Sequence, residues 1–143
     1  MTSIPPAPSG PPAVIDALAW VHVRNGRLLC VRTDGVDLFY LPGGKREPGE
    51  SDEAAVAREA HEEVGVVLRP GTFRQVAVID ELAYDKAPGT RVLLSCYAAE
   101  HDGEPTPDSE IAELAWIGFA DRERCAPAVR RLIERLHAED AVR

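Results

Sequence analysis

The segment Gly44 to Val66 constrains this chain more than any other. Pro42-Gly43-Gly44 is read as a break in regular structure that lets the backbone approach a ligand closely. Beyond Pro48-Gly49, Ser51 and Asp52 are suited to cap a helix. It continues through Ala54, Ala55, Val56, Ala57 and Ala60 to about Val64, where Gly65 is a plausible stop. Along that helix Glu59, Glu62 and Glu63 fall within an arc of about 100° on one face. Three like charges so close repel one another, and a compensating cation is the simplest reason to keep them together. Carboxylate and carbonyl oxygens suit hard ions such as Mg²⁺ or Mn²⁺. The bland alternative for a glutamate-rich helix is a solvated face.

The residues flanking the glutamates decide against the bland alternative. Gly44, Glu50, Arg58-Glu59, Ala60, Glu62-Glu63, Gly65 and Val66 reproduce G-x5-E-x7-R-E-U-x-E-E-x-G-U, with U apolar. The pattern resembles the box of the Nudix family. The resemblance implies an α+β fold, a mixed β-sheet flanked by helices in an α-β-α sandwich, over about Val14 to His137. It also implies a metal-dependent hydrolase that uses water to cleave a diphosphate linkage. Glu59, Glu62 and Glu63 would bind the metal, joined by the backbone carbonyl of Gly43 and by one more acid outside the box. Glu110 is the choice for that acid and Glu113 its competitor. Glu59 and Glu62, with Arg58 fixing a glutamate rotamer, form the expected catalytic set. Glu50 supports the loop or pairs with the arginine, and Gly44 and Gly65 serve the backbone.

Around this centre the pattern suggests a hairpin from Val14–Val23 and Leu28–Val31 about an Asn25-Gly26 turn. It also suggests strands at Leu38–Leu41, Phe73–Ile79, Val92–Ala98 and Leu114–Phe119, the middle two joined through Pro88-Gly89. Val129, Leu132, Ile133 and Leu136 recur at helical spacing in a terminal helix over about Ala126–Glu139. Residues 1–13 read as a proline-rich arm, either a plain leader or a segment packing on a partner in a homodimer, and residues 14–143 as one domain. The arm lacks the basic and apolar regions of a signal peptide.

The net charge of -8, from 24 acidic and 16 basic residues, argues against a surface that binds polymeric nucleic acid. No apolar run reaches the length of about 20 residues that spans a bilayer. Three cysteines without metal-like spacing suit a reducing, cytoplasmic setting. His22, His61, His101 and His137 show no mutual spacing for a metal site and are read as structural or exposed. The expected substrate is a small nucleotide, a (d)NTP cut to (d)NMP and pyrophosphate, house-cleaning of damaged nucleotides being one version. Nucleotide sugars and dinucleoside polyphosphates rank below it, as does a non-catalytic nucleotide-binding regulatory module. The residues that choose the base are not readable.

Overall fold

The computed structural model describes residues 13–84 and 86–143, so most of the proline-rich arm lies outside the described residues. In chain order the elements are β1 (Val14–Trp20), β2 (Val23–Arg24), β3 (Arg27–Thr33), β4 (Gly43–Lys45), α1 (Asp52–Val64) and β5 (Val67–Leu68). Then come β6 (Arg74–Leu82), β7 (Arg91–Ala98), β8 (His101–Asp102), β9 (Ile111–Ile117), a 3₁₀ segment (Phe119–Arg124) and α2 (Pro127–Ala138). Strands β4-β1-β7-β6 form a mixed sheet in which β1 and β7 run parallel; β2-β3-β9 form a second sheet and β5-β8 a short pair.

The period of two along a strand explains the layering. On β1, Ala17 and Ala19 enter one core with α2 residues Val129, Leu132, Ile133 and Leu136. Leu18 and Trp20, pointing the other way, enter a second core with α1 residues Ala55, Val56, Ala60 and Val64. Strand β3 divides likewise, Leu28 and Cys30 to the first core, Leu29 and Val31 to the second. Burial on both faces is why these strands read as continuous apolar runs. The α+β fold with a mixed sheet between helices is therefore present.

Several local expectations change. Asn25 (φ 53) and Gly26 (φ 76) do form a hairpin turn, but it joins only β2 to β3. The residues of β1 leave that hairpin and pair with β7 and β4, because a strand buried on both faces needs partners on both edges. Leu38–Leu41 is not a strand: Phe39 and Tyr40 make only isolated bridges, to Cys125 and Val31. Gly43-Gly44, expected to forbid regular structure, instead builds β4 with Lys45, antiparallel to β1. A Cβ on Gly43 would stand 2.2 Å from the carbonyl oxygen of Leu18, so glycine is what permits the pairing. The strand placed at Leu114–Phe119 runs from Ile111 to Ile117, and Phe119 opens the 3₁₀ segment. The β6–β7 hairpin is present and longer than expected. Ala13, assigned to the arm, accepts a hydrogen bond from the Arg91 N–H at 3.0 Å and so continues the fold.

Beyond the end of β1, His22 stacks on Trp20 with ring centroids 4.8 Å apart, and His101 meets both rings edge-on. Burial, followed by the positive potential of His101 and Arg24, lowers the His22 pKa to about 4; Glu104 opposes this. The unfolded chain thus takes up this proton near the ordinary value of 6.5, and the fold only near 4. Stability contributed by neutral His22 is complete above the unfolded value and is lost as pH falls through that window. After allowance for solvent screening of a half-buried ring, the loss is about 2 kcal/mol. Thermal melts between pH 7 and 4 should show His22→Phe losing less stability than the parent; parallel losses would refute this assignment.

Candidate functional site

Helix α1 begins where the Ser51 Oγ accepts the Ala54 N–H at 3.2 Å, and ends at Gly65 in the left-handed region (φ 73). Ala55, Val56, Ala60 and Val64 face the sheet and fix the helix rotation. That rotation turns Glu59 and Glu63 toward β4. The Gly43 N–H donates to the Glu63 Oε2 at 3.1 Å. A Cβ on Gly44 would come within 2.6 Å of the Glu59 Oε1, so this glycine leaves room for a carboxylate. Gly65 serves differently: its neighbours leave space, and its positive φ is what favours glycine there.

Arg58 organises the acids. Its guanidinium forks onto Glu50, with Nε to Oε2 and Nη2 to Oε1 both at 2.8 Å, while Nη1 reaches the Glu59 Oε1 at 2.8 Å and the Glu62 Oε2 at 3.5 Å. Nη2 also donates to the carbonyl of Lys45 at 3.2 Å, tying helix to strand. Hydrogen bonds from Arg58, then from the Glu47 N–H, hold the Glu50 carboxyl down to about 2. Arg46 fastens the intervening loop, pairing with Asp16 on β1 at 3.0 Å and with Asp52 at the helix start at 2.6 Å.

Glu63 carries the opposite shift. Burial raises its pKa to about 8, and the charges of Glu59 and Glu62 add to the rise against the Gly43 hydrogen bond. A divalent cation is the ion that would relieve such crowding, and carboxylate oxygens are suitable donors for a hard metal. Among the described residues no three acidic, histidine or cysteine side chains converge into a ready cage. Glu59 is turned to Arg58 and Glu63 to the Gly43 N–H, so a metal would compete with those two bonds.

Gly43, Gly44, Glu50, Arg58, Glu59, Glu62 and Glu63 are thus brought together as the sequence suggested. Glu110 stands apart, exposed at the start of β9 beside Thr33 and Asp34. The loop leading to it is tied to the last turn of α1, since the Asp108 N–H donates to the Glu63 carbonyl at 3.0 Å and the Thr106 N–H to that of Val64 at 3.0 Å. Its competitor Glu113 is engaged with Arg32 at 2.7 Å. The sequence did not show a cavity of about 380 Å³ between the α2 side of the sheet and the start of α2, which Gly43, Gly44 and Glu63 border. Tyr40, Tyr84, Lys45 and Lys86 line it too. The scarcity of lysine was the one available signal for the last two.

The NUDIX domain family matches residues 13–136 of this chain. A MutT-like protein of Streptomyces ambofaciens is 42% identical over 118 residues, covering 80% of this chain and 71% of that protein. An 8-oxo-(d)GTP phosphatase of Mycolicibacterium smegmatis is 27% identical over 96 residues, 67% of this chain, which spans only 28% of that relative's length. The crystal structure of a MutT NUDIX hydrolase from Burkholderia pseudomallei superposes with a TM-score of 0.70 at 29% identity, covering 85% of this chain and 96% of that one. The chain belongs to the Nudix family of hydrolases.

Two outcomes follow from the geometry. Gly44→Ala drives a methyl group into the Glu59 carboxylate, and activity should fall at least a hundredfold while the melting temperature moves by only a few degrees. An alanine variant of normal activity would refute the crowding. For Glu63, the unfolded carboxyl ionises near its ordinary value of 4.5 and the folded one near 8. The stability of its neutral form is therefore complete below the lower value and lost as pH rises through the upper. At pH 9 in chelator, Glu63→Gln should be more stable than the parent by a few kcal/mol, each tenfold change in the ionisation equilibrium being worth at most about 1.4 kcal/mol. At pH 4 the two should melt together. Equal melting at both pH values would overturn the assignment.

Proposed function

We propose that this chain is a Mg²⁺- or Mn²⁺-dependent pyrophosphohydrolase of small nucleotides, most simply cutting a (d)NTP to (d)NMP and pyrophosphate. The observation that carries the reading is the closure of Glu59 and Glu63 onto Gly43-Gly44 at the border of a cavity of about 380 Å³, the size expected of a small-molecule site. Glu59, Glu62 and Glu63 would hold the metal with the Gly43 carbonyl, and Glu110 would approach from its loop. When bound, the metal supplies charge neutralisation at the diphosphate and a more acidic water.

The protein's own groups do the rest. Glu59 takes the proton of the attacking water, and Arg58 holds the Glu59 rotamer through the 2.8 Å bond to Oε1. Glu50 in turn fixes Arg58 by its two-pronged pairing, so the orientation of the base is set two residues deep. The cavity beside the glycines takes the nucleoside. The relatives described as acting on 8-oxo-(d)GTP and as MutT-like support nucleotide chemistry. A non-catalytic binding module fits less well, because every charged identity of the box is kept and interlocked. No described helix is long and apolar enough to cross a membrane; the three cysteines are buried free thiols, which agrees with a reducing, cytoplasmic setting.

Incubation with nucleoside triphosphates, nucleotide sugars and dinucleoside polyphosphates in Mg²⁺ or Mn²⁺, with products separated by chromatography, tests this. Monophosphate and pyrophosphate should form from a triphosphate, chelator should abolish turnover, and Glu59→Gln should lower kcat by about 10³. Turnover that survives chelation, or none with any substrate, overturns the proposal. Hydrolysis in ¹⁸O-water identifies the phosphorus attacked.

A further inference from the structure

The segment between β4 and α1, residues 46–51, carries Glu50 and has little packing to hold it. Glu47, Pro48 and Gly49 are exposed, and neither core includes a residue of the segment. Gly49 turns in the left-handed region (φ 82), and a backbone bond from the Glu50 N–H to the Glu47 carbonyl, at 3.1 Å, closes the turn. Yet Glu50 has to stay in register with α1. Its two-pronged pairing with Arg58 is what steadies the guanidinium that bonds the Glu59 Oε1 at 2.8 Å.

Arg46 supplies the anchor that packing does not, and each of its nitrogens serves a different segment. Nε donates to the Asp16 Oδ2 on β1 at 3.0 Å, and Nη1 to the Glu50 carbonyl at 3.1 Å. Nη2 pairs with the Asp52 Oδ1 at the start of α1 at 2.6 Å. Asp52 is held in turn from β7, because the Tyr97 hydroxyl donates to its Oδ2. The Glu50 backbone is thereby tied to the sheet and to the helix through one planar group. A rigid fork of donors suits that task; a single ammonium does not.

The side chains of Arg46, Asp16 and Asp52 are 28%, 54% and 35% exposed. Ion pairs this wet add little to the stability of the whole fold. Their consequence is local, since a loop that shifts takes Glu50 off Arg58. A small misplacement of a reacting group slows chemistry far more than it weakens a fold.

We propose that Arg46 is a positioning residue for the reaction: by holding the Glu50 carbonyl from Asp16 and Asp52, it keeps Glu50 on Arg58 and so fixes the orientation of Glu59. The proposal rests on the reading above in which Glu59 is the base of a nucleotide hydrolase. The test compares parent, Arg46→Gln, Glu50→Gln and the double variant in steady-state kinetics on a nucleoside triphosphate with Mg²⁺, alongside their melting temperatures. Hydrogen exchange at the Arg58 Nε, followed by ¹⁵N NMR of the metal-free proteins, reads the Glu50–Arg58 pairing without turnover. Arg46→Gln should lower kcat about tenfold with KM within about twofold, and should quicken the Arg58 Nε–H exchange about tenfold, while the melting temperature falls by only about 3 °C. Because the two residues act through one pair, the double variant should be about as slow as Glu50→Gln alone. A kcat within about twofold of the parent, an unchanged Arg58 exchange, or losses that multiply in the double variant overturns the assignment. So does a melting temperature that collapses together with kcat, which would make Arg46 a plain stabilising residue. Each of those outcomes leaves the parent active and strikes Arg46 alone, whereas a parent that hydrolyses no nucleotide brings down the hydrolase reading and this role with it.

Discussion

The close approach of β4 to β1 on one side and to α1 on the other is the contact on which the site depends. Two consecutive glycines occupy a gap where a side chain on the first would strike a backbone carbonyl and one on the second would strike a carboxylate. Because the gap is narrow, the helix presents Glu63 at hydrogen-bonding distance from the strand and Glu59 directly against Gly44. Its rotation is set from behind, by the small apolar residues that sink into the sheet. Packing on one face of α1 thereby decides the chemistry on the other.

That arrangement holds two opposed electrostatic demands a few ångströms apart. Arg58 pairs with Glu47, Glu50, Glu59 and Glu62 and holds the Glu50 carboxyl down as an anion. Glu63, one turn on from Glu59 and half-buried, has only a backbone N–H and resists ionisation. The charges of Glu59 and Glu62 in turn raise the cost of ionising the inner acid. A site with one carboxyl kept reluctant in this way suits a ligand carrying more charge than a guanidinium.

Local signals in the sequence carried far. The Ser51 cap, the Gly65 stop, the glutamate face and the apolar stripe of α2 depend on residues a few positions apart, and each appears where its spacing places it. The β6–β7 hairpin was readable for the same reason. What escaped was set across the fold. The parallel partner of β1 is more than half the chain away, and nothing within Val14–Trp20 names it. The strand character of Gly43–Lys45 comes from a neighbour, not from glycine's own preference. Beside the motif residues Gly43, Gly44 and Glu63, the cavity is bordered by segments from β1, β3, the β6–β7 connection and α2, none of which looks like a binding motif alone. Glu110 and Glu113 look alike in the sequence because the ion pair that engages Glu113 comes from Arg32, some eighty residues earlier on β3.

The pairing of Val14 with Arg91 also bears on the order in which this molecule assembles. Contacts between distant segments must first overcome the entropy of closing the chain between them. Helix α1 can form early from its own caps, but β1, the strand against which the glycines close, gains its second neighbour only after β7 has been synthesised. Until then the acids lie on an unsupported amphipathic helix with no wall opposite. The wall that these acids face is thus a property of the finished tertiary structure, and a nascent chain that carries the whole motif still lacks it.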